Sequence, residues 1–362
     1  MSNVHCAMVD LSKAFDKLNY SILIRKLVQC KLPPLLVFVI KYLCENAYVS
    51  VVHGNFKGDC WKIENGVRQG GVLSPHIFNF YINEVFDTIS SMNVGCKIGS
   101  YVSNIIGYAD DIMLISPTKS GLQILIDKLC NILNRLCLPI NTGKCEYLIF
   151  SNTRNFAFNS TVTVENKVIE SSSSCKYLGT ILSSNLRIDD DVIRCNYSFL
   201  RQFNNIYHKF KFLYLPILIS LMKTFCTSFY GSELWLYNEN FTNRINKISI
   251  SYHKAVKAMV HLTPWDNNHA ACAIAGLPIF KHFLSYRMFC FVSRILKCEC
   301  PCFYNLRYYM RNSSFLLKRL DFLFSNKYGI KNVLDNDVLA VRSRIDFIER
   351  NEERSDYVPF RP

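Results

Sequence analysis

Residues 105–116 read IIGYADDIMLIS, two β-rich apolar runs, Ile105–Tyr108 and Ile112–Ile115, on either side of Ala109-Asp110-Asp111. Branched and aromatic residues suit a pleated, half-buried strand, and a short polar break between two such runs is a hairpin signal. Two adjacent carboxylates then stand at a hairpin tip. Asp is at home in tight turns, so the pair alone calls for no function. Far upstream, the run His5–Val9 also reads as a strand, and it ends at a third acid, Asp10. Burying a carboxylate without a partner is costly, so an acid closing an apolar strand has to be solvated, paired or bound to a cation. Asp10, Asp110 and Asp111 together would make an all-oxygen donor set, which Mg²⁺ prefers, and a cation would relieve the repulsion between neighbouring acids. A pair of such ions is the clamp used in phosphoryl transfer.

Working outward, strand and helix signals mix. Asn19 caps an expected helix with Leu23, Leu27 and Val28 at helical spacing. Tyr48–His53 and Cys60–Ile63 flank a Gly-Asn turn and read as a hairpin. Ser74 as N-cap and Pro75 at the first helical position open a helix striped by Phe78, Ile82, Phe86 and Ile89. Leu122, Leu125, Leu129, Leu133 and Leu136 mark another, ending near Pro139. Strand patterns return at Tyr147–Phe150, Val162–Val164 and Lys167–Ile169, and the serine run Ser171–Ser174 reads as a short loop. From Asp189 onward the pattern is mainly helical, so the chain is expected to be α+β with a boundary near residue 185. Asp189–Asp191 could be taken for a metal cluster, but acids at a helix N-terminus are favoured by its dipole.

Half of the 362 residues are hydrophobic and 19% are charged, which excludes a disordered chain. The net charge of +14 is uneven: 17 basic residues face 13 acidic ones up to residue 185, and 25 face 15 beyond it. A basic surplus concentrated in one half fits a polyanionic partner, while the bland alternative is that it keeps an apolar protein soluble. Downstream, Arg201, Phe203, Tyr207, Lys209 and Lys211, then Lys254 and Lys257, then Arg307, Tyr308, Tyr309, Arg311, Lys318 and Arg319 interleave cations with rings. Cations neutralise phosphates and rings stack on bases; the alternative is a packed aromatic core beneath a solvated charged face.

The sixteen cysteines scatter through apolar runs with no secretory leader ahead of them, so free thiols of a reduced, intracellular protein are expected. Cys298, Cys300 and Cys302 lack the spacing of a structural zinc site. Phe212–Tyr230 is long enough to span a membrane, but Pro216 and Lys223 interrupt it, and a buried helical hairpin is expected instead.

Five blocks occur in order: VDLSKAFD (9–16), GVRQGGVLSP (66–75), GYADDIMLIS (107–116), NTGKCEYLIF (141–150) and CKYLGTIL (175–182). The succession resembles motifs A to E of the palm of reverse transcriptases of non-LTR, LINE-type retrotransposons. FYGSELW (229–235) and the helices to about residue 300 are similar, more loosely, to the thumb of such proteins. The resemblance implies a polymerase palm with partial fingers over residues 1–185, its antiparallel sheet backed by helices, and a mostly α-helical thumb and C-terminal region over 186–362. It implies RNA-directed DNA synthesis, a deoxynucleotide being added to a primer 3′-end, with an RNA template, a DNA primer and deoxynucleoside triphosphates as partners and no membrane partner.

The same resemblance implies the roles of single residues. Asp10, Asp110 and Asp111 would hold two Mg²⁺ ions, with the carbonyl of Leu11 as a further ligand. Phe15 would lie under the sugar and exclude a 2′-hydroxyl; otherwise it is a plain core aromatic. Arg68, Gln69, Gly70 and Gly71 would form a loop against template and nucleotide, where glycine lets backbone approach; otherwise they are a strand-to-helix turn. Lys144 would be the proton donor to pyrophosphate, or simply a solvated lysine. Tyr177, Leu178 and Gly179 would form the primer-grip turn, through their backbone. Asp16 and Asp59 are not expected to be ligands. Because motif A comes nine residues after Met1, the implied chain is a copy truncated ahead of the palm, acting in the nucleus where chromosomal DNA is its primer. Other classes stay open: a catalytically silent nucleic-acid-binding remnant, and a membrane-associated or scaffolding protein.

Overall fold

Apolar residues on both sides of the chain around Ala7 predict a strand buried on two faces, and a computed structural model of the protein forms one there, β1 (Val4–Asp10). The structure describes residues 3–99, 101–151, 160–237 and 243–298. Two units result, one of Met1–Leu178 with Ser184–Leu186, the other of Gly179–Ser183 with Arg187–Pro362.

In the first unit β1 is followed by a short helix α1 (Ala14–Lys17), then α2 (Tyr20–Gln29), α3 (Pro34–Glu45) and the hairpin β2 (Tyr48–His53) and β3 (Phe56–Lys62). Next come α4 (Ser74–Ser90), the small pair β4 (Cys96–Ile98) and β5 (Tyr101–Ser103), and the hairpin β6 (Ile105–Tyr108) and β7 (Asp111–Ser116). The unit continues with α5 (Lys119–Arg135), β8 (Glu146–Phe150), β9 (Thr161–Val164), β10 (Lys167–Ser172) and β11 (Ser174–Tyr177). Six strands form one sheet in the order β6-β7-β1-β8-β10-β9. Its pairs are antiparallel except β8 with β10, which is parallel. The serine run is therefore not a loop: Ser171 and Ser172 are the very residues of β10 that pair with Tyr147 and Leu148 of β8.

Helices α4 and α5 cover one face of this sheet. Phe78, Ile82, Val85 and Ile89 of α4 and Leu122, Leu125, Leu129 and Leu133 of α5 share a core with Ala7, Val9, Ile112, Leu114, Tyr147 and Ile149. Strand alternation sends Cys6, Met8 and Asp10 to the opposite face. There β11 lies over the sheet, with Cys175 Sγ 3.9 Å from Met8 Sδ. The result is an α+β unit, one mixed sheet with two helices on one face.

Two sequence expectations for this unit need correction. Leu73 already has helical dihedrals, so Ser74 is the first residue of α4 rather than its cap, and its hydroxyl donates back to the Arg68 carbonyl. Asn19 does cap α2, accepting from Ile22 N at 3.1 Å, but Val28 is exposed, because Leu23 and Leu27 already fill the buried stripe.

The second unit contains β12 (Thr180–Ser183), α6 (Asp189–Phe210), α7 (Leu215–Leu221), α8 (Asn243–Met259), α9 (Asn268–Ala275) and α10 (Phe280–Lys297). Val192, Cys195, Phe199 and Phe203 of α6 pack with Ile248, Tyr252 and Val256 of α8 and Phe280 and Leu284 of α10. Phe212–Tyr230 is not a buried hairpin: α7 runs into a π-helical turn at Met222–Cys226, and Phe212, Tyr214 and Phe225 are exposed. Among the described residues no helix is long and apolar enough to cross a membrane. The described cysteines are free thiols, and Cys300 and Cys302 lie outside the described residues.

Candidate active site

Register brings two of the acids together. In β1 and β7, Val9 pairs with Ile112 and Asp10 with Asp111, so these two carboxylates stand opposite each other on one sheet face. Asp110 occupies the adjoining turn, which Ala109 enters with a left-handed φ of 56°. A segment after α5 clamps the end of β1. Ser12 N donates to the Pro139 carbonyl and Asn141 N to the Asp10 carbonyl, both at 2.8 Å, and Leu11 bridges Ile140. Pro139 thus does more than end a helix, a role that its position alone did not reveal.

Like charge dominates the electrostatics. Burial first, then the charges of Asp110 and Asp10, push the Asp111 carboxyl above the ordinary aspartate value, and Lys144 opposes the rise. Lys144 sits in a tight turn, its amide donating to the Asn141 carbonyl, and its Nζ is 3.8 Å from Asp10 Oδ2. At 71% side-chain exposure it is a solvated cation at the rim. Among the described residues no three His, Cys, Asp or Glu side chains stand close enough together to hold a metal ion. The donors themselves fit a hard divalent cation: they are all oxygen, they sit at a strand end and a neighbouring tip, and Asp110 and Asp10 raise the cost of charging Asp111.

Phe15 lies in α1, just past the clamp, where its ring stacks on Phe78 with centroids 4.5 Å apart. The loop before α4 is tied directly to it, since Val67 N donates to the Phe15 carbonyl at 2.8 Å. Gly66 makes the tie possible. Its φ is +89°, and a Cβ there would come within 2.7 Å of Asp16 Cα and the Phe15 carbonyl oxygen. This residue belongs to the site, and the sequence signal for it was the glycine just ahead of Val67. Arg68, Gln69 and Gly70 are exposed, with Gly70 in a left-handed conformation facing open space, and Gly71 N donates to the Arg68 carbonyl. Asp16 is exposed within α1, and Asp59 lies in β3.

Tyr177 closes β11, and the turn after it is left-handed twice over, with φ of 45° at Leu178 and 82° at Gly179. Burial and then the charge of Asp111 push the Tyr177 phenol up to about 12. In the second unit Asp191, 3% exposed, accepts from Ile181 N, Arg194 Nε and Trp235 Nε1 at 2.8–3.1 Å. It is thus an anchor for the strand after the turn as well as a helix-dipole acid. Of the basic and aromatic set, Arg201, Lys209, Lys211 and Lys254 are exposed, whereas Phe203 is core and Lys257 is buried, its Nζ donating to the Pro264 carbonyl at 2.8 Å. Those from Arg307 to Arg319 lie outside the described residues.

Residues 1–182 match the family model described as "Reverse transcriptase (RNA-dependent DNA polymerase)". The Retrovirus-related Pol polyprotein from type-2 retrotransposable element R2DM of Drosophila melanogaster is 33% identical over 146 residues, 39% of this chain and 13% of that protein. The RNA-directed DNA polymerase from mobile element jockey of the same fly is 24% identical over 270 residues, 72% of this chain and 28% of that protein. The chain thus spans less than a third of the length of these relatives. A solved structure of apo telomerase from Candida tropicalis is 14% identical with a TM-score of 0.43, covering 97% of this chain and 53% of that one. Since the family match takes in all five sequence blocks, from the strand that ends at Asp10 to the turn at Leu178-Gly179 and just beyond, the chain belongs to the reverse transcriptase family.

Proposed function

We propose that the chain is the catalytic part of an RNA-directed DNA polymerase of the non-LTR retrotransposon kind. It adds deoxynucleoside monophosphates to a DNA primer on an RNA template, and pyrophosphate leaves. The observation that carries this is the pairing of Asp10 with Asp111 beside Asp110 at the hairpin tip, in a chain whose residues 1–182 match the family. Asp10, Asp110 and Asp111 would hold two Mg²⁺ ions. Such ions, when bound, acidify the primer 3′-hydroxyl and neutralise charge on the triphosphate and the leaving pyrophosphate.

The chain's own groups do the rest. Lys144, an ammonium at the rim beside Asp10, supplies a proton to the departing pyrophosphate. The Phe15 ring, braced by Phe78, stands under the sugar and leaves no room for a 2′-hydroxyl. Arg68 and Gln69 bear on template and incoming nucleotide, with Gly70 letting backbone approach. The turn Tyr177-Leu178-Gly179 positions the primer end, and the exposed cations of α6 and α8 neutralise phosphates of the duplex. Where chromosomal DNA is the primer, the reaction takes place in the nucleus.

The test is primer extension on an RNA template with Mg²⁺ and deoxynucleotides. Wild type should extend, while Asp10→Ala and Asp110→Ala should not. Salt-dependent binding of template–primer by a wild type that extends nothing would make the protein a nucleic-acid-binding chain instead.

A further inference from the structure

The Tyr177 hydroxyl is buried and has no hydrogen-bond partner among the described residues. A buried donor left unpaired is costly, and a phenylalanine would fill the same space without that cost. The strand shows where the hydroxyl points. In β11, Ser174 and Lys176 are exposed and Cys175 is buried, so Cys175 and Tyr177 share the face turned to the sheet. Cys175 rests on Met8. Ser172 pairs with Leu148, the partner of Cys6, so from Ser172 to Cys175 the chain advances along β1 from Cys6 to Met8; two residues further along each strand stand Tyr177 and Asp10, and Asp10 is the ladder partner of Asp111.

From this placement we infer that the Tyr177 hydroxyl is a positioning group for Asp111, donating a hydrogen bond to its carboxylate when the carboxylates gather around divalent cations. The inference rests on the polymerase reading and deepens it. Tyr177 would serve the primer grip through its backbone and the cation site through its side chain. Seating β11 on the sheet and assembling the metal site would then be one event. The ladder holds Asp10 in register through the backbone, but nothing in the ladder fixes the side-chain torsions of Asp111, and a donor from the facing strand would.

The experiment compares wild type, Tyr177→Phe and Asp110→Ala as full chains. Mn²⁺ affinity is read by electron paramagnetic resonance, the Mg²⁺ concentration for half-maximal extension by kinetics, and template–primer affinity by fluorescence anisotropy. Phenylalanine keeps the ring and removes an unpaired buried hydroxyl, so the unfolding midpoint should hold or rise. The inference expects Tyr177→Phe to weaken Mn²⁺ binding and raise the Mg²⁺ requirement by about five- to tenfold, with excess Mg²⁺ restoring kcat and template–primer affinity within twofold. Mn²⁺ affinity unchanged in Tyr177→Phe overturns it. So does a loss confined to template–primer affinity, which would assign the hydroxyl to the primer. If wild type binds Mn²⁺ in an Asp110-dependent way but extends nothing, the polymerase reading fails, and the Mn²⁺ comparison alone upholds or overturns the role of Tyr177. If wild type has no Asp110-dependent Mn²⁺ site, the inference is overturned.

Discussion

Asp10 and Asp111 are direct partners across the β1–β7 ladder, and their side chains leave the sheet on the same face. Two like charges so placed destabilise the strand pair that carries them. Replacing one should therefore stabilise the ion-free protein while abolishing what it does. Asp111→Asn is expected to raise the unfolding free energy by about 1 kcal/mol in chelator. Millimolar Mg²⁺ should stabilise wild type by binding only the folded state, and should have little effect on Asp10→Asn. Thermal melts of the three proteins with and without Mg²⁺ check both signs.

Phe15 and Gly66 are coupled through the hydrogen bond from Val67 N to the Phe15 carbonyl. Gly66→Ala places a methyl against the backbone of Asp16 in a left-handed conformation and should cost about 1–3 kcal/mol. Phe15→Val should lower discrimination against ribonucleotides by roughly ten- to a hundredfold. It should also destabilise the protein by about 1–2 kcal/mol, as the stack on Phe78 is lost. The ratio of kcat/KM for deoxy- and ribonucleotides, set against denaturation curves, separates the two effects.

Lys144 and Asp10 form an exposed ion pair, of a kind worth about 0–1 kcal/mol. Lys144→Met should thus leave stability nearly unchanged. As a proton donor to pyrophosphate, its loss should lower kcat by about a hundredfold, with Lys144→Arg intermediate. A fall in kcat no larger than the change in template–primer affinity would remove Lys144 from the chemistry.

In the second unit, His253 is held neutral. Burial, aided by the charges of Lys257 and His269, lowers its pKa from 6.5 to about 4. Its Nε2 lies 3.5 Å from the amide of Phe280, the first residue of α10, and its Nδ1 is 3.4 Å from Ser249 Oγ. Below about pH 6.5 the unfolded chain takes up a proton that the folded one refuses, so stability should fall by up to roughly 3 kcal/mol between pH 6.5 and 4. Denaturant midpoints at pH 7 and pH 4.5 should converge toward each other in His253→Gln relative to wild type.

The strand at His5–Val9, the hairpin around Asp110-Asp111 and the helices striped by Phe78 and Leu122 were legible in the sequence, because each is a local pattern that burial enforces. The Ser74 hydroxyl has two acceptable uses in sequence, capping a helix or holding the Arg68 carbonyl, and only the path of the loop chooses between them. Ser171 and Ser172 carry no strand period, since they are polar, although their backbone completes the ladder to β8. For Phe212–Tyr230 the apolar content was plain, but not that exposed aromatics and a π-helical turn would break the hairpin.

By itself the sequence determined the residue types of the site, their order and the kind of local element each occupies, because hydrophobic period and turn chemistry act over a few neighbouring residues. It could not determine that Asp10 faces Asp111, that Gly66 locks Phe15 to the Arg68 loop, or that Cys175 and Tyr177 share the face of β11 turned to the sheet. Those depend on strand register and on contacts between segments far apart in the chain, where a slip of one residue would send every side chain to the other face, and only the packed core selects the register that exists.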